Sequence, residues 1–237
     1  MKSFSRRRSA RIIFVTGTDT GVGKTLLAGL LLHHLRAEGC HALAMKPFCS
    51  GGTSDVDFLS AIQDGELTAK EMNPFYFAEP VAPLVSSRKH RKKITQIEAV
   101  ESIKQIAERC KILIVEGSGG LLVPLGEHFT VATLIKSLKC EVIIVAKNRL
   151  GVINHTLLTV SALNHLGCRR IKIALMEGDE MDYSTHSNAL ILSEMIDEMP
   201  LKVPLFSFGY LGRDATNLET LKDSRKIIKK MLAQVLK

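Results

Sequence analysis

A glycine-rich stretch lodged between two apolar runs constrains this chain more than any other feature. Gly17-Thr-Asp-Thr-Gly21-Val22-Gly23-Lys24-Thr25 follows the short apolar run Ile12–Val15 and precedes the apolar stretch Leu26–Leu35. Strand, glycine turn and helix in that order let backbone N–H groups point inward at phosphate oxygens, helped by the positive end of the helix dipole. Gly21, Val22, Gly23, Lys24, Thr25 and Leu26 would then surround the phosphates. Lys24 reaches the β and γ oxygens, and the Thr25 hydroxyl ligates Mg²⁺. The usual spacing places the first glycine of such a loop at position 18, which is Thr18 here. The nearest glycine is Gly17, so the loop is a variant.

Five short apolar runs read as buried parallel strands: Ile12–Val15, His41–Met45, Ile112–Val115, Val142–Val145 and Ile171–Leu175. They are continuous rather than alternating, as expected where helices cover both faces of a sheet. Helical spacing lies between them: Val131, Leu134, Ile135 and Leu138 share one face, as do several apolar residues between Leu221 and Val235. Regular alternation predicts an α/β fold, a doubly wound and mainly parallel sheet with helices on both faces. Residues 1–10 read as a basic tail and 11–237 as one domain. From Asn73 to Lys93, Pro74, Pro80 and Pro83 interrupt the rhythm, and the segment reads as a loop-rich apolar insertion.

In open α/β sheets functional groups gather outside the carboxyl ends of the strands. Lys46 closes the second run and could stabilise charge on a transferring phosphoryl group. Asp55 falls at an expected helix start, with Asp57 two residues on; a helix cap is the plainer reading for either. Glu116 ends the third run and precedes Gly117, Ser118 and Gly119, small residues beside which a nucleotide can approach. Thr25, Asp55 and Glu116 form an oxygen-only donor set that suits Mg²⁺ and argues against zinc.

The formal charge of +8 is concentrated at Arg6–Arg11 and Arg88–Lys93. No aromatic residues interleave these clusters, so they read as solvated charge rather than a nucleic-acid surface. Five scattered cysteines make no CxxC pair and read as free thiols, Cys49 as a bystander. No apolar run approaches the length of a membrane span and no signal peptide is evident, so a cytoplasmic protein without membrane partners is expected.

Together these segments resemble the dethiobiotin synthetase family. The resemblance is carried by Gly17–Thr25, Lys46-Pro-Phe-Cys-Ser50-Gly51, Ser54-Asp55, Asn73-Pro-Phe-Tyr-Phe-Ala-Glu-Pro80, Val115-Glu-Gly-Ser-Gly-Gly120 and Arg149-Leu-Gly-Val-Ile-Asn-His-Thr-Leu-Leu-Thr159. It implies a homodimer acting on 7,8-diaminopelargonate, CO₂ and ATP with Mg²⁺. Lys24 and Lys46 would hold a carbamate and the γ-phosphate, while Thr20 and Ser50 bind the reacting groups. A helix start at Leu150, Gly151, Val152 and Asn154 of the other subunit would take the substrate's distant carboxylate. Without the resemblance, Asn154-His155 would be read as capping and core packing.

The chain departs from the family at several positions. Ala82-Pro-Leu84 stands where Ser-Pro-His is common, Thr133 where an Asp is frequent, and Met176-Glu177 where an Asn reads the base. The last departure implies reduced discrimination among ATP, GTP and CTP. The competing readings are a partitioning or regulatory ATPase switch, a cobyrinate amidase-like ligase and an inactive relative. The first usually carries a signature lysine where Asp19 stands, and the second needs a glutaminase domain too large for 237 residues.

Overall fold

All five apolar runs become strands of one sheet, with boundaries set by hydrogen-bonded partners rather than by hydrophobicity. The computed structural model describes residues 10–180 and 182–237; the basic stretch 1–9, and with it all but Ala10 of the expected tail, lies outside the described residues. The elements are, in chain order, β1 (Arg11–Gly17), α1 (Lys24–Ala37), β2 (Ala42–Met45), β3 (Phe48–Ser50), α2 (Ser54–Ile62), α3 (Ala69–Met72), β4 (Phe75–Phe77), α4 (Pro83–Lys89), α5 (Gln96–Ala107), β5 (Ile112–Gly120), β6 (Pro124–Gly126), β7 (Phe129–Thr130), α6 (Val131–Leu138), β8 (Glu141–Lys147), α7 (Val152–His165), β9 (Ile171–Met176), α8 (Thr185–Asp197), β10 (Leu205–Phe208) and α9 (Leu218–Val235).

The main sheet has the order β10-β9-β8-β1-β5-β2, and every pairing in it is parallel. Strand order reverses at β1, so the switch-point crevice opens at its C-terminal end, where the glycine loop begins. Right-handed crossovers put α1 on one face and α5 to α8 on the other. The packing of α1 on α9, α5 on α6 and α7 on α8 agrees. One contiguous apolar core joins both layers to the sheet.

Three expectations are corrected. The third run does not stop at Val115: β5 extends through Gly120, because its pairing with β1 resumes at Gly17↔Gly120 after a register shift. Glu116 is therefore an interior strand residue. His41 drops out of β2 and pairs with Glu66 at 2.6 Å. The insertion is more ordered than expected. Phe75 stacks on Phe48 with centroids 4.6 Å apart, pairing β3 with β4, and Pro83 starts α4 at a position where its missing N–H costs nothing. A sixth main-sheet strand, β10, was not anticipated.

The spaced apolar residues behave as expected. Val131, Leu134, Ile135 and Leu138 of α6 are all buried, as are Leu221, Leu232 and Val235 of α9. Thr133 closes a capping box with Thr130 at the start of α6. The basic run is partly neutralised, with Arg88 on Glu127 and Lys89 on Glu79.

Gly29 shows how tightly α1 meets α2. A Cβ there would lie 2.4 Å from Cε1 of Phe58. Alanine would gain about 1 kcal/mol of helix propensity, but overpacking costs about 1–3 kcal/mol. Gly29→Ala is expected to lose about 1 kcal/mol net, seen as a lower urea midpoint at unchanged slope. A stabilised variant would show that the Phe58 ring swings aside freely.

Candidate active site

The glycine loop is shaped by contacts within itself. A Cβ on Gly17 would meet the Asp19 carbonyl oxygen at 2.7 Å and Val22 Cγ2 at 2.8 Å, which explains a glycine at 17 rather than 18. Gly23 caps α1 in a left-handed conformation at φ 101°, open to glycine without strain. Lys24 Nζ donates to the Asp19 carbonyl at 2.8 Å. Burial lowers the Lys24 ammonium to about 8, against the partial support of Glu116.

Strand register assembles the charged cluster. Met45 of β2 pairs with Val115 of β5, so the next residues, Lys46 and Glu116, lie side by side at the carboxyl end of the sheet. Lys46 Nζ contacts Glu116 Oε1 at 2.6 Å and Asp55 Oδ2 at 2.5 Å. The Thr25 hydroxyl donates to Glu116 Oε1 at 2.8 Å. Burial alone would lower the Lys46 ammonium, but Glu116 and Asp55 outweigh it and hold it above the usual lysine range. Burial pushes the Glu116 carboxyl up, and the neighbouring ammonium pulls it back. The Lys46 backbone is pinned too: its N–H donates to the Met72 carbonyl, and Asn73 Nδ2 donates to its own carbonyl at 2.6 Å.

These groups line a cleft of about 690 Å³ together with Thr20, Gly21, Gly23, Leu26, Ser50, Ser118 and Gly119; Pro80–Pro83 form a wall. Ser50 Oγ and Glu116 Oε2 are buried there without partners. Leu84, in place of the family's histidine, is half-buried outside the cleft lining. A larger hollow of about 790 Å³ at the opposite end of the sheet is lined by Arg11, Glu141 and Arg170, which satisfy one another.

Thr25, Asp55 and Glu116 are thus brought together. Among the described residues no group of three or more His, Cys, Asp or Glu could hold a metal by itself. Two carboxylates and a hydroxyl beside a phosphate loop are the sparse oxygen set Mg²⁺ uses when phosphates complete its shell. The unpartnered Glu116 Oε2 fits that role. Asp57 instead accepts from the Thr53 hydroxyl at 2.8 Å; the cap of α2 is Thr53, with Asp55 and Asp57 inside the first turn, so the capping reading of the two acids is corrected. Cys49 is a bystander: its thiol donates to the Gly52 carbonyl, and burial raises its pKa.

Other predicted residues fall elsewhere. Val22 and Gly117 are buried beside the cleft rather than on it. Leu150, Gly151, Val152 and Asn154 form the start of α7, apart from this chain's own cleft. The Leu150 amide donates to Asp182 Oδ2 at 2.8 Å and the Val152 amide to the Arg149 carbonyl at 3.1 Å. Asn154 and His155 are exposed, so the core-packing reading of that pair is wrong. Sequence reading missed Asn148, which is buried and donates to Glu177 Oε1 at 2.7 Å and to the Thr185 carbonyl at 3.1 Å. The available signal was a polar residue directly after the last residue of β8, Lys147, at the carboxyl end of the sheet.

A parallel sheet with a glycine loop at its switch point, feeding a lysine and a threonine into a cleft of acidic oxygens, defines the P-loop class of nucleotide-binding proteins. The fold agrees: a plasmid partition protein of Borrelia burgdorferi B31, solved bound to AMPPNP, superposes with a TM-score of 0.56 at 13% identity, covering 96% of this chain and all of that one. An AAA domain family matches residues 11–199. The ATP-dependent dethiobiotin synthetase of Anaeromyxobacter sp. (strain Fw109-5) is 41% identical over 73% of this chain and 79% of its own length. That of Anaeromyxobacter dehalogenans (strain 2CP-C) is 39% identical over 81% and 88%. The chain belongs to the dethiobiotin synthetase family.

Proposed function

We propose that this chain is an ATP-dependent cyclo-ligase of biotin biosynthesis that closes the ureido ring of dethiobiotin from 7,8-diaminopelargonate and CO₂. The observation that carries the reading is the convergence of Lys24 and Lys46 on one cleft with Thr25, Asp55 and Glu116. One amine of the substrate takes up CO₂ as a carbamate. The carbamate oxygen attacks the γ-phosphorus of ATP and ADP leaves. The second amine then attacks the carbamoyl carbon, expelling phosphate and closing the cyclic urea.

Each step crowds anions together, so positive charge and positioning supply most of the rate. Lys24 and Lys46 hold the carbamate and γ-phosphate, and Thr20 and the unpartnered Ser50 hydroxyl hydrogen-bond the reacting groups. Gly21, Gly23 and Leu26 wrap the phosphates with the backbone of Val22 between them, its side chain buried, and Ser118 and Gly119 face them from β5 with Gly117 behind. Thr25, Asp55 and Glu116 would hold Mg²⁺, which neutralises phosphate charge when bound. An ATPase switch is disfavoured because Asp19 stands where such proteins place a lysine.

Release of phosphate from ATP tests the reading. It should depend on both bicarbonate and the diamine; release indifferent to the diamine contradicts it.

Lys24 sets a pH limit on nucleotide binding. Phosphate charge favours its protonated form, so binding above pH 8 takes up a proton and the Kd for ATP rises between pH 8 and 10. Titrations in buffers of different ionisation enthalpy measure this uptake. For the free protein the sign is opposite: the unfolded chain binds more protons between about 8 and 10.5, so this group adds stability as pH rises through that window.

The family resemblance implies a homodimer, in which the start of the partner's α7 would bind the distant substrate carboxylate. With the Leu150 and Val152 amides engaged, Gly151 and Asn154 are the amides of the predicted set left for that carboxylate. Leu158 and Leu122 are 61% and 72% exposed beside the same stretch, on a surface that association would cover. Leu158→Arg is expected to sediment as a monomer and to lose kcat/KM for the diamine while still binding ATP. A dimer indifferent to this change would place the interface elsewhere. Residues 11–237 form one domain in this reading, sharing one core. Among the described residues no helix is long and apolar enough to cross a membrane. All five cysteines are free, which fits a reducing cytoplasm.

A further inference from the structure

β2 is the outer strand of the main sheet, so one of its edges has no strand partner. The Lys111 N–H donates to the His41 carbonyl at 2.9 Å on the β5 side, and alternation then turns the backbone groups of residues 42, 44 and 46 to the free edge. Side chains close that edge where a strand would. Arg36 Nη1 donates to the Ala42 carbonyl at 3.2 Å. The Gln63 amide, fully buried just past α2, pairs twice with Ala44, accepting from its N–H at 3.0 Å and donating to its carbonyl at 3.1 Å. At Lys46 the N–H donates to the Met72 carbonyl at 3.0 Å, and Asn73 Nδ2 donates to the carbonyl at 2.6 Å. Asn73 is a rigid donor: it is buried, Pro74 restricts its backbone, and the Phe75 N–H ties the following residue to the Pro47 carbonyl at 3.0 Å. Ala42 and Ala44 carry no functional group, whereas Lys46 carries the ammonium of the cleft. Asp55 and Glu116, which hold that ammonium, are also the proposed metal donors, so the backbone is the one fixed end of the lysine during turnover.

We propose that Asn73 is a positioning residue for the reaction, holding the Lys46 carbonyl so that the ammonium stays aimed into the cleft. The proposal rests on the function proposed above, in which Lys46 stabilises the transferring phosphoryl group. A misplacement of about 1 Å can cost about 10²-fold in rate, and a long side chain carries a small tilt of its backbone out to its tip. A bond that served stability alone would lower the melting of the chain and leave the rate per folded molecule unchanged.

A double-mutant cycle on the full chain, read as phosphate release with ATP, Mg²⁺, bicarbonate and the diamine, tests this. Asn73→Ala is expected to lower kcat by about 10–100-fold. Its calorimetric Kd for ATP should stay within about threefold of the unmodified chain. In the Lys46→Ala background the same change should cost kcat less than about twofold, since the group it positions is gone. An equal cost in both backgrounds, or a lower urea midpoint with kcat unchanged, overturns the proposal. Asn73→Asp keeps the shape and removes the donor amine, and it enters the same cycle with the same expected outcome where the alanine variant fails to fold. Phosphate release indifferent to the diamine would contradict the cyclo-ligase reading, and the cycle run on that ATP hydrolysis would still decide the role of Asn73. Diamine-dependent release with equal costs in both backgrounds would overturn this inference alone.

Discussion

Lys46→Ala is expected to lower kcat by about 10²–10³-fold while the Kd for ATP changes by no more than about threefold. The Lys46 side chain sits at the carboxyl end of β2, only 8% exposed, with its ammonium locked between Glu116 and Asp55. A cation fixed in a site of low dielectric stabilises developing charge without reorganising, which is where the largest electrostatic gains arise. Ground-state binding of the phosphates rests mainly on the backbone of the glycine loop and on Lys24, so it should survive. Equal losses in ATP affinity and in turnover would make Lys46 a binding residue only.

The same variant leaves Glu116 buried without its partner, and burial together with the Asp55 carboxylate then pushes its carboxyl further up, against the Thr25 hydrogen bond that remains. A carboxyl whose folded pKa exceeds its unfolded value binds more protons when folded, so stability falls as pH rises through that window. Relative to the unmodified chain, Lys46→Ala should therefore be less stable at pH 8 than at pH 5. Denaturant melts at the two values separate this structural effect from the catalytic one.

Glu116→Gln is expected to cost turnover on a similar scale through the metal instead. Lys24 and Lys46 face Glu116 and Asp55, a cluster near neutrality. Removing one carboxylate leaves an excess positive charge, which should strengthen binding of metal-free ATP while Mg²⁺ affinity falls. Turnover should drop about 10²-fold or more and recover in part at high Mg²⁺. Unchanged dependence on Mg²⁺ would remove Glu116 from the proposed metal set. Asp55 is more exposed and lies on α2 rather than on a central strand, so the same change there should cost less.

Much of this site was legible because short-range rules place it. The glycine loop follows a strand and opens a helix, so Lys24 and Thr25 could be assigned from position alone. Lys46 and Glu116 each follow an apolar run, and parallel register between β2 and β5 makes them neighbours. What escaped depends on long-range partners. The extension of β5 beyond Glu116 follows from pairing with Gly17 across a register shift, which hydrophobicity does not encode. β10 has only Phe208 buried and reads as loop until β9 pairs with it. The hydrogen bonds of Asn148 bring in Glu177, Thr185 and Asn188 from later in the chain, each an ordinary polar residue in isolation. Read without the resemblance, Asn154 would be misplaced for the opposite reason: it stands in an apolar stretch, but its own position on α7 faces solvent.

The central claim is that carbon from CO₂ becomes the ring carbonyl in a step driven by ATP. Incubation with ¹³C-bicarbonate, ATP, Mg²⁺ and 7,8-diaminopelargonate, followed by mass spectrometry, tests it most directly. The expected product is a cyclic urea carrying one ¹³C, formed with one phosphate released per ring. ATP hydrolysis that proceeds with no labelled ring would contradict it.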